Sequence, residues 1–206
     1  MNGIQHSGCD AIRLTCARKC NKPVQGLTRA TGVHYLMPVM KTLLIFRHAQ
    51  AVHFGDTSDH DRPLTEKGVL DAQRMGRLLR GLRPEQVLSS TAKRAVTTAE
   101  LALRTAERTT NIQCLRQLYD SDIPQHLELL RQVASAVNSL LIVGHNPTFE
   151  HLASALVHRP VPMKTGSLAI VALPIDDWSK FNDSLASQLV GLFYPAMLRK
   201  RMEENE

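Results

Sequence analysis

The chain lacks any apolar run approaching the ~20 residues needed to cross a bilayer, and it is poor in aromatics, with one Trp, three Tyr and five Phe in 206 residues. The first absence argues against a membrane-spanning helix. The second matters because no Lys/Arg cluster is interleaved with aromatic side chains, the usual footprint of single-strand nucleic-acid binding. No seven-residue apolar core of a secretory signal is present, so secretion is not expected. A Gly-rich phosphate loop and an Asp-based metal cluster are missing too.

Positive charge is in excess, with a formal net charge of +6, but it is unevenly placed. Residues 1–40 hold Arg13, Arg18, Lys19, Lys22 and Arg29 against Asp10 alone, which leaves the remainder nearly balanced. The excess therefore belongs to an N-terminal segment rather than to a nucleic-acid surface. That segment has neither period-2 nor period-3.6 apolar patterning, and it carries three of the four cysteines, Cys9, Cys16 and Cys20. A zinc site using these with His6 or His34 is disfavoured, because Cys-x6-Cys-x3-Cys lacks paired Cys-x2-Cys knuckles. Its acid-poor, Arg-bearing composition resembles an organelle transit peptide. The simpler reading is a translation start placed too early, since Met40-Lys41-Thr42 leads directly into the first strand and Met37 is also at hand. Residues 1–39 are accordingly expected to be a disordered extension, and residues 40–206 one domain. Cys114 falls in an apolar stretch and is expected to be a core thiol in a reducing compartment.

What the chain does have is regular alternation. Strands are predicted over 42–47, 86–89, within 112–118, over 139–143 and 167–173, with a sixth near 188–193. Helices are predicted over 66–81, 91–107, 123–137 and from Pro147 to about 157. Thr65 and Asn146 are the expected N-caps, and Gly81 with Pro84 the expected stop of the first helix. Ala95, Ala99, Ala102 and Ala106 give the second helix a small-residue stripe for close packing. Strands separated by helices predict a three-layer α/β sandwich: a mostly parallel central sheet with helices on both faces.

Leu43-Leu44-Ile45-Phe46 reads as a strand buried on both faces, and it ends in Arg47-His48. Ligands of parallel sheets bind beyond the strands' carboxyl ends, so this pair is placed where a site is expected. Leu141-Ile142-Val143-Gly144-His145 repeats the pattern. Between them lie Arg62-Pro63-Leu64-Thr65 and Ser89-Ser90-Thr91-Ala92-Lys93-Arg94-Ala95. In this order the motifs resemble the histidine phosphatase superfamily, whose first strand ends in Arg-His-Gly, and most closely its SixA-type phosphohistidine phosphatases. The resemblance runs from Lys41 to about Leu173. Ala49 replaces the usual glycine, and so small a change implies a backbone that needs no positive φ.

The residues alone suit phosphoryl transfer. A neutral imidazole is nucleophilic near neutral pH and forms a phosphoramidate that water later cleaves. His48 is the candidate nucleophile. Arg47, Arg62 and Arg94 are candidate phosphate-binding forks, helped by the positive end of the helix starting near Thr91. His145 is the candidate donor to the phosphoryl oxygens. The resemblance implies the same roles at the matching positions, and a phosphoglycerate mutase-like fold. With three arginines to neutralise the phosphoryl group, no metal or cofactor is expected. His53, His60, His126, His151 and His158 lack such placement and are expected to be surface or packing residues.

A general acid is harder to find. Larger relatives carry a glutamate after the third strand, where this chain has Gln117-Leu118-Tyr119-Asp120-Ser121-Asp122. Asp120 or Asp122 are the only candidates there, and Asp122 equally suits an N-cap. Phosphohistidine leaves as neutral imidazole after ring protonation, so it needs a positioned acid less than an ester does. The expectation is a cytoplasmic, metal-independent phosphatase acting on a phosphoprotein such as a histidine phosphotransfer domain. Alternatives are a small phosphate-ester phosphatase of the same superfamily and a non-catalytic phosphate-binding module. A mutase is disfavoured, since the long insertions used to enclose its substrate are missing.

Overall fold

A computed structural model describes residues 40–53, 58–120 and 122–198. The expectations for residues 1–39, including the three early cysteines, lie outside the described residues. Six strands form one sheet: β1 (Lys41–Arg47), β2 (Gln86–Ser90), β3 (Ile112–Leu115), β4 (Ser139–Gly144), β5 (Leu168–Leu173) and β6 (Gln188–Phe193). Among the described residues they are accompanied by the helices α1 (Glu66–Leu82), α2 (Lys93–Thr105), α3 (Ile123–Arg131) and α4 (Thr148–Leu156). The strand order is β3-β2-β4-β1-β5-β6. The pairs β1–β4, β2–β4 and β2–β3 are parallel, while β5 runs antiparallel to both β1 and β6. The mostly parallel sheet is thus borne out, with an antiparallel flank.

Alternation along β1 divides the core. Leu43 and Ile45 pack with Ile142, Leu130, Phe149 and Leu152, the face covered by α3 and α4. Leu44 and Phe46 pack with Val143, Met75, Leu79 and Ala99, the face covered by α1 and α2. All four β1 side chains are fully buried, which is why the segment reads as an unbroken apolar run. The alanine stripe lets α1 approach closely: a Cβ on Gly76 would stand 2.4 Å from the Ala102 carbonyl oxygen, so no larger residue fits there.

Several boundaries differ from the sequence expectation. Thr65 caps α1 as expected, accepting from the Gly68 amide at 3.0 Å. The left-handed residue that ends the helix is Arg83 (φ 47°) rather than Gly81, which stays helical. The continuous helix to residue 137 is not formed. Ala134 and Val137 keep their apolar spacing through successive turns, with Gln132 N–H bonded to Leu129 O and Val137 N–H to Ala134 O. Asn146 is not an N-cap, because its side-chain amide is drawn to Glu150 Oε2 and Met163 O, both at 2.9 Å, and Pro147 takes the cap position. Cys114 is exposed rather than in the core. β3 is one of the sheet's two edge strands, and its second and third residues are exposed. No helix among the described residues is long and apolar enough to cross a membrane.

Candidate active site

The strand order sets the carboxyl ends of β1, β4 and β2 side by side. Arg47 lies opposite Gly144, and Ser89 opposite Val143. Arg47-His48, His145 and Ser90 therefore meet at one sheet edge, joined from α2 by Arg94. Arg47, His48, Arg94 and His145 line a cavity of about 480 Å³ together with Gln50, His53, Asp59, Arg62, Asn146 and Thr165, with Ser90 buried behind His145. A second cavity of similar size, about 510 Å³, lies along α3 and contains Arg116, Asp120 and Glu128 but no histidine.

His48 is fixed through its backbone. Its N–H donates to Gly144 O at 3.0 Å, and its carbonyl accepts from the Gly166 amide at 2.9 Å. Ring Nδ1 lies 2.7 Å from Ala49 O. A carbonyl can only accept, so Nδ1 carries the hydrogen and Nε2 keeps its lone pair. The Arg94 Nε–H points at that lone pair from 3.4 Å. Burial pushes the His48 pKa down to about 4; the Ala49 carbonyl opposes the shift, and Arg94, Arg47 and Arg62 reinforce it. Ala49 itself is buried, its amide held by Thr98 Oγ1 at 3.1 Å. It is not among the described residues with positive φ, as its replacement of glycine implied.

His145 lies with its ring centroid 4.9 Å from that of His48. Burial, then the His48 and Arg94 charges, lower its pKa to about 3. Both rings are therefore neutral at pH 7. Arg47 is tied by Nη1 to Met163 O at 2.6 Å, while its buried Nε has no partner among the described residues. Its pKa is lowered by burial, with Glu150 opposing.

Sequence reasoning missed Asp59. It accepts four hydrogen bonds: Arg62 Nε and Nη2 on Oδ1 at 2.9 and 2.7 Å, and Arg94 Nη2 and Tyr119 OH on Oδ2, each at 2.9 Å. Burial alone would raise this carboxyl, but the bonds from Tyr119, Arg62 and Arg94 outweigh it and hold the pKa at about 2. Asp59 thus orients two of the expected phosphate forks, and Arg62 also reaches Val52 O at 2.8 Å. Its place three residues before Arg62 is compatible with their pairing but does not by itself mark a site.

Of the sequence candidates, Arg47, His48, Arg62, Arg94 and His145 come together in one cavity. Asp120 and Asp122 do not line it. Asp120 is exposed and paired with Arg116 at 3.3 Å, and Asp122 caps α3 through a capping box with Gln125. Their neighbour Tyr119 is the residue that meets the site, bonded to Asp59 and edge-on to His145 with ring centroids 5.6 Å apart. His53, expected to be a surface or packing residue, lines the cavity.

Two buried neutral imidazoles give folding a defined pH dependence. An unfolded histidine titrates near the ordinary value of 6.5, whereas His48 and His145 titrate near 4 and 3 in the fold. Between pH 6.5 and about 4 the unfolded chain binds more protons than the native one, so unfolding free energy rises with pH across that window. This stability is complete above the unfolded pKa and is lost as the pH falls toward the folded values. The melting temperature should therefore drop from neutral pH to about pH 4.5, and drop less in a His48→Gln/His145→Gln variant. An equal drop in that variant would assign the acid sensitivity to other groups.

With this geometry in view, comparison with known proteins places the chain. The family model of the histidine phosphatase superfamily (branch 1) matches residues 43–134. An uncharacterized protein of Mycobacterium tuberculosis is 36% identical over 117 residues, covering 53% of this chain and 68% of the relative. The solved structure of the protein histidine phosphatase SixA complexed with tungstate is similar at 26% identity and a TM-score of 0.66, covering 76% of this chain and 99% of that one. A SixA-type structure from Agrobacterium tumefaciens is similar at 25% identity and a TM-score of 0.64, covering 75% and 98%.

Proposed function

The chain belongs to the histidine phosphatase superfamily, and from that premise we propose that it removes phosphoryl groups from phosphohistidine on a protein. The observation that carries this reading is the bare Nε2 of His48, buried and facing the Arg94 guanidinium. In the proposed reaction the Nε2 lone pair attacks phosphorus, and the P–N bond to the substrate imidazole breaks. That ring, protonated from solvent, departs as neutral imidazole. Water then attacks the phosphorus on His48, the new P–N bond breaks, and inorganic phosphate leaves. The Nδ1–H···O=C bond to Ala49 holds the ring while it carries positive charge. Arg47 and Arg94, with Arg62 behind Asp59, offset the phosphoryl charge, and His145 donates to its oxygens.

The choice of a phosphoramidate over an ester is supported by the acids around the cavity. Asp59 is the one carboxyl group among its described lining residues, and it is ionised. An ionised carboxylate has no proton for an alkoxide leaving group. The similarity to the tungstate-bound SixA structure supports an oxyanion site and this substrate class. The arginines make a metal or cofactor unnecessary to the scheme. A cytoplasmic place of action belongs to the same reading, and the free, exposed Cys114 thiol suits a reducing compartment.

The test compares kcat/KM for a phosphohistidine-bearing phosphotransfer domain with that for simple phosphate esters, in the wild type and in Asp120→Asn and Asp122→Asn. The phosphotransfer domain should be the better substrate. Each variant should keep its turnover within about tenfold, below the hundredfold or more of a true general acid. A large, leaving-group-dependent loss in either variant would favour the small-ester reading.

A further inference from the structure

Ser90 ends β2 with its side chain fully buried, and its hydroxyl lies 2.8 Å from His145 Nε2. The same oxygen accepts the Ala92 backbone N–H at 3.2 Å. The other ring nitrogen of His145, Nδ1, is buried and has no hydrogen-bond partner among the described residues. A neutral imidazole carries one hydrogen, so one of these nitrogens is a donor and the other an acceptor.

The two choices are not equivalent. If Nε2 held the hydrogen, it would donate to Ser90 Oγ, and the serine's own hydrogen would be left inside the protein without an acceptor. Bare Nδ1 would then be a second buried group without a partner among the described residues. With the hydrogen on Nδ1, the Ser90 hydroxyl donates to Nε2, Ala92 N–H fills a serine lone pair, and the one group left over is a donor. Burying an unpaired polar group is unfavourable, and the first arrangement leaves two such groups where the second leaves one, a donor.

We infer that Ser90 is a positioning residue: its hydroxyl fixes His145 as the tautomer with hydrogen on Nδ1, so that the ring presents an N–H to the phosphoryl group. The inference rests on the phosphoryl site proposed above, but not on phosphohistidine as the substrate. His145 and His48 are mirror cases of one device. A carbonyl at Nδ1 leaves Nε2 of His48 bare for attack, and a hydroxyl at Nε2 leaves Nδ1 of His145 protonated for binding.

Nitrogen-15 NMR of the wild-type protein tests this directly, since bare and protonated ring nitrogens resonate far apart. His145 should show a bare Nε2 and a protonated Nδ1, and inorganic phosphate should move the Nδ1–H signal. A protonated Nε2 in the wild type would overturn the inference, whatever the substrate. In Ser90→Ala the Nε2–H form should become populated. With p-nitrophenyl phosphate as a probe, kcat should fall about tenfold with KM little changed, less than the loss on removing an oxyanion donor outright. Ser90→Ala/His145→Ala should be no slower than His145→Ala alone, because the serine acts only through the ring. Additive losses, or an unchanged tautomer in Ser90→Ala, would make the serine a packing residue only.

Discussion

In His48→Ala, turnover should fall by at least about 10⁴-fold, because removing a covalent nucleophile costs as much as dismantling the group of residues that serves it. The fold should survive. The bonds that pin this position, from His48 N–H to Gly144 O and from Gly166 N–H to His48 O, are backbone bonds that alanine keeps. Loss of a desolvated imidazole also removes one of the groups that make the native state sensitive to acid. Brief mixing of the wild type with labelled substrate should trap an acid-labile, base-stable phosphoryl group, as expected for a phosphoramidate, and peptide mapping should place it on His48. Label on a serine or cysteine, or appreciable turnover by the alanine variant, would sink the nucleophile assignment.

The sheet was legible because burial on both faces leaves an unbroken apolar run. Leu43–Phe46 and Leu140–Val143 each stop abruptly at polar residues where the strand emerges. Those stopping points, Arg47-His48 and Gly144-His145, marked the site before any contact was known. Ser89-Ser90 obeys the same rule at the end of β2, and could have been read in the same way. Asp59 could not. A carboxylate in a polar loop becomes informative only when Arg94, 35 positions on, and Tyr119, 60 positions on, are seen to converge on it. Local spacing does not encode such contacts. The helix ends were misjudged for a related reason. Apolar spacing at 134 and 137 records which side chains reach the core, and consecutive turns deliver them there as well as a helix does. Apolar neighbours point Cys114 to the core, but an edge strand has one side with no partner strand to cover it.

Arg94→Ala should lower kcat/KM by about 10²- to 10³-fold on every substrate, p-nitrophenyl phosphate included. The side chain is 5% exposed, its Nε aims at the nucleophilic nitrogen, and its other nitrogens are held by Asp59. It therefore acts on the phosphoryl group in transit rather than on the leaving group, and the loss should not depend on how well that group departs. Arg94→Lys should recover little, since an ammonium cannot reproduce a fork that spans Asp59 and the phosphoryl site together. The fold should tolerate the change, because Asp59, 33% exposed, keeps Arg62 and Tyr119 as partners. A second signature reports the place of Arg94 beside the nucleophile. Arg94 is among the charges that depress His48, which titrates near 4, so removing it should raise that pKa. The acidic limb of the kcat/KM profile should then move to higher pH. A defect confined to poor leaving groups would instead set Arg94 beside the departing atom, and a loss below about tenfold with an unmoved acid limb would reduce it to a clamp for Asp59.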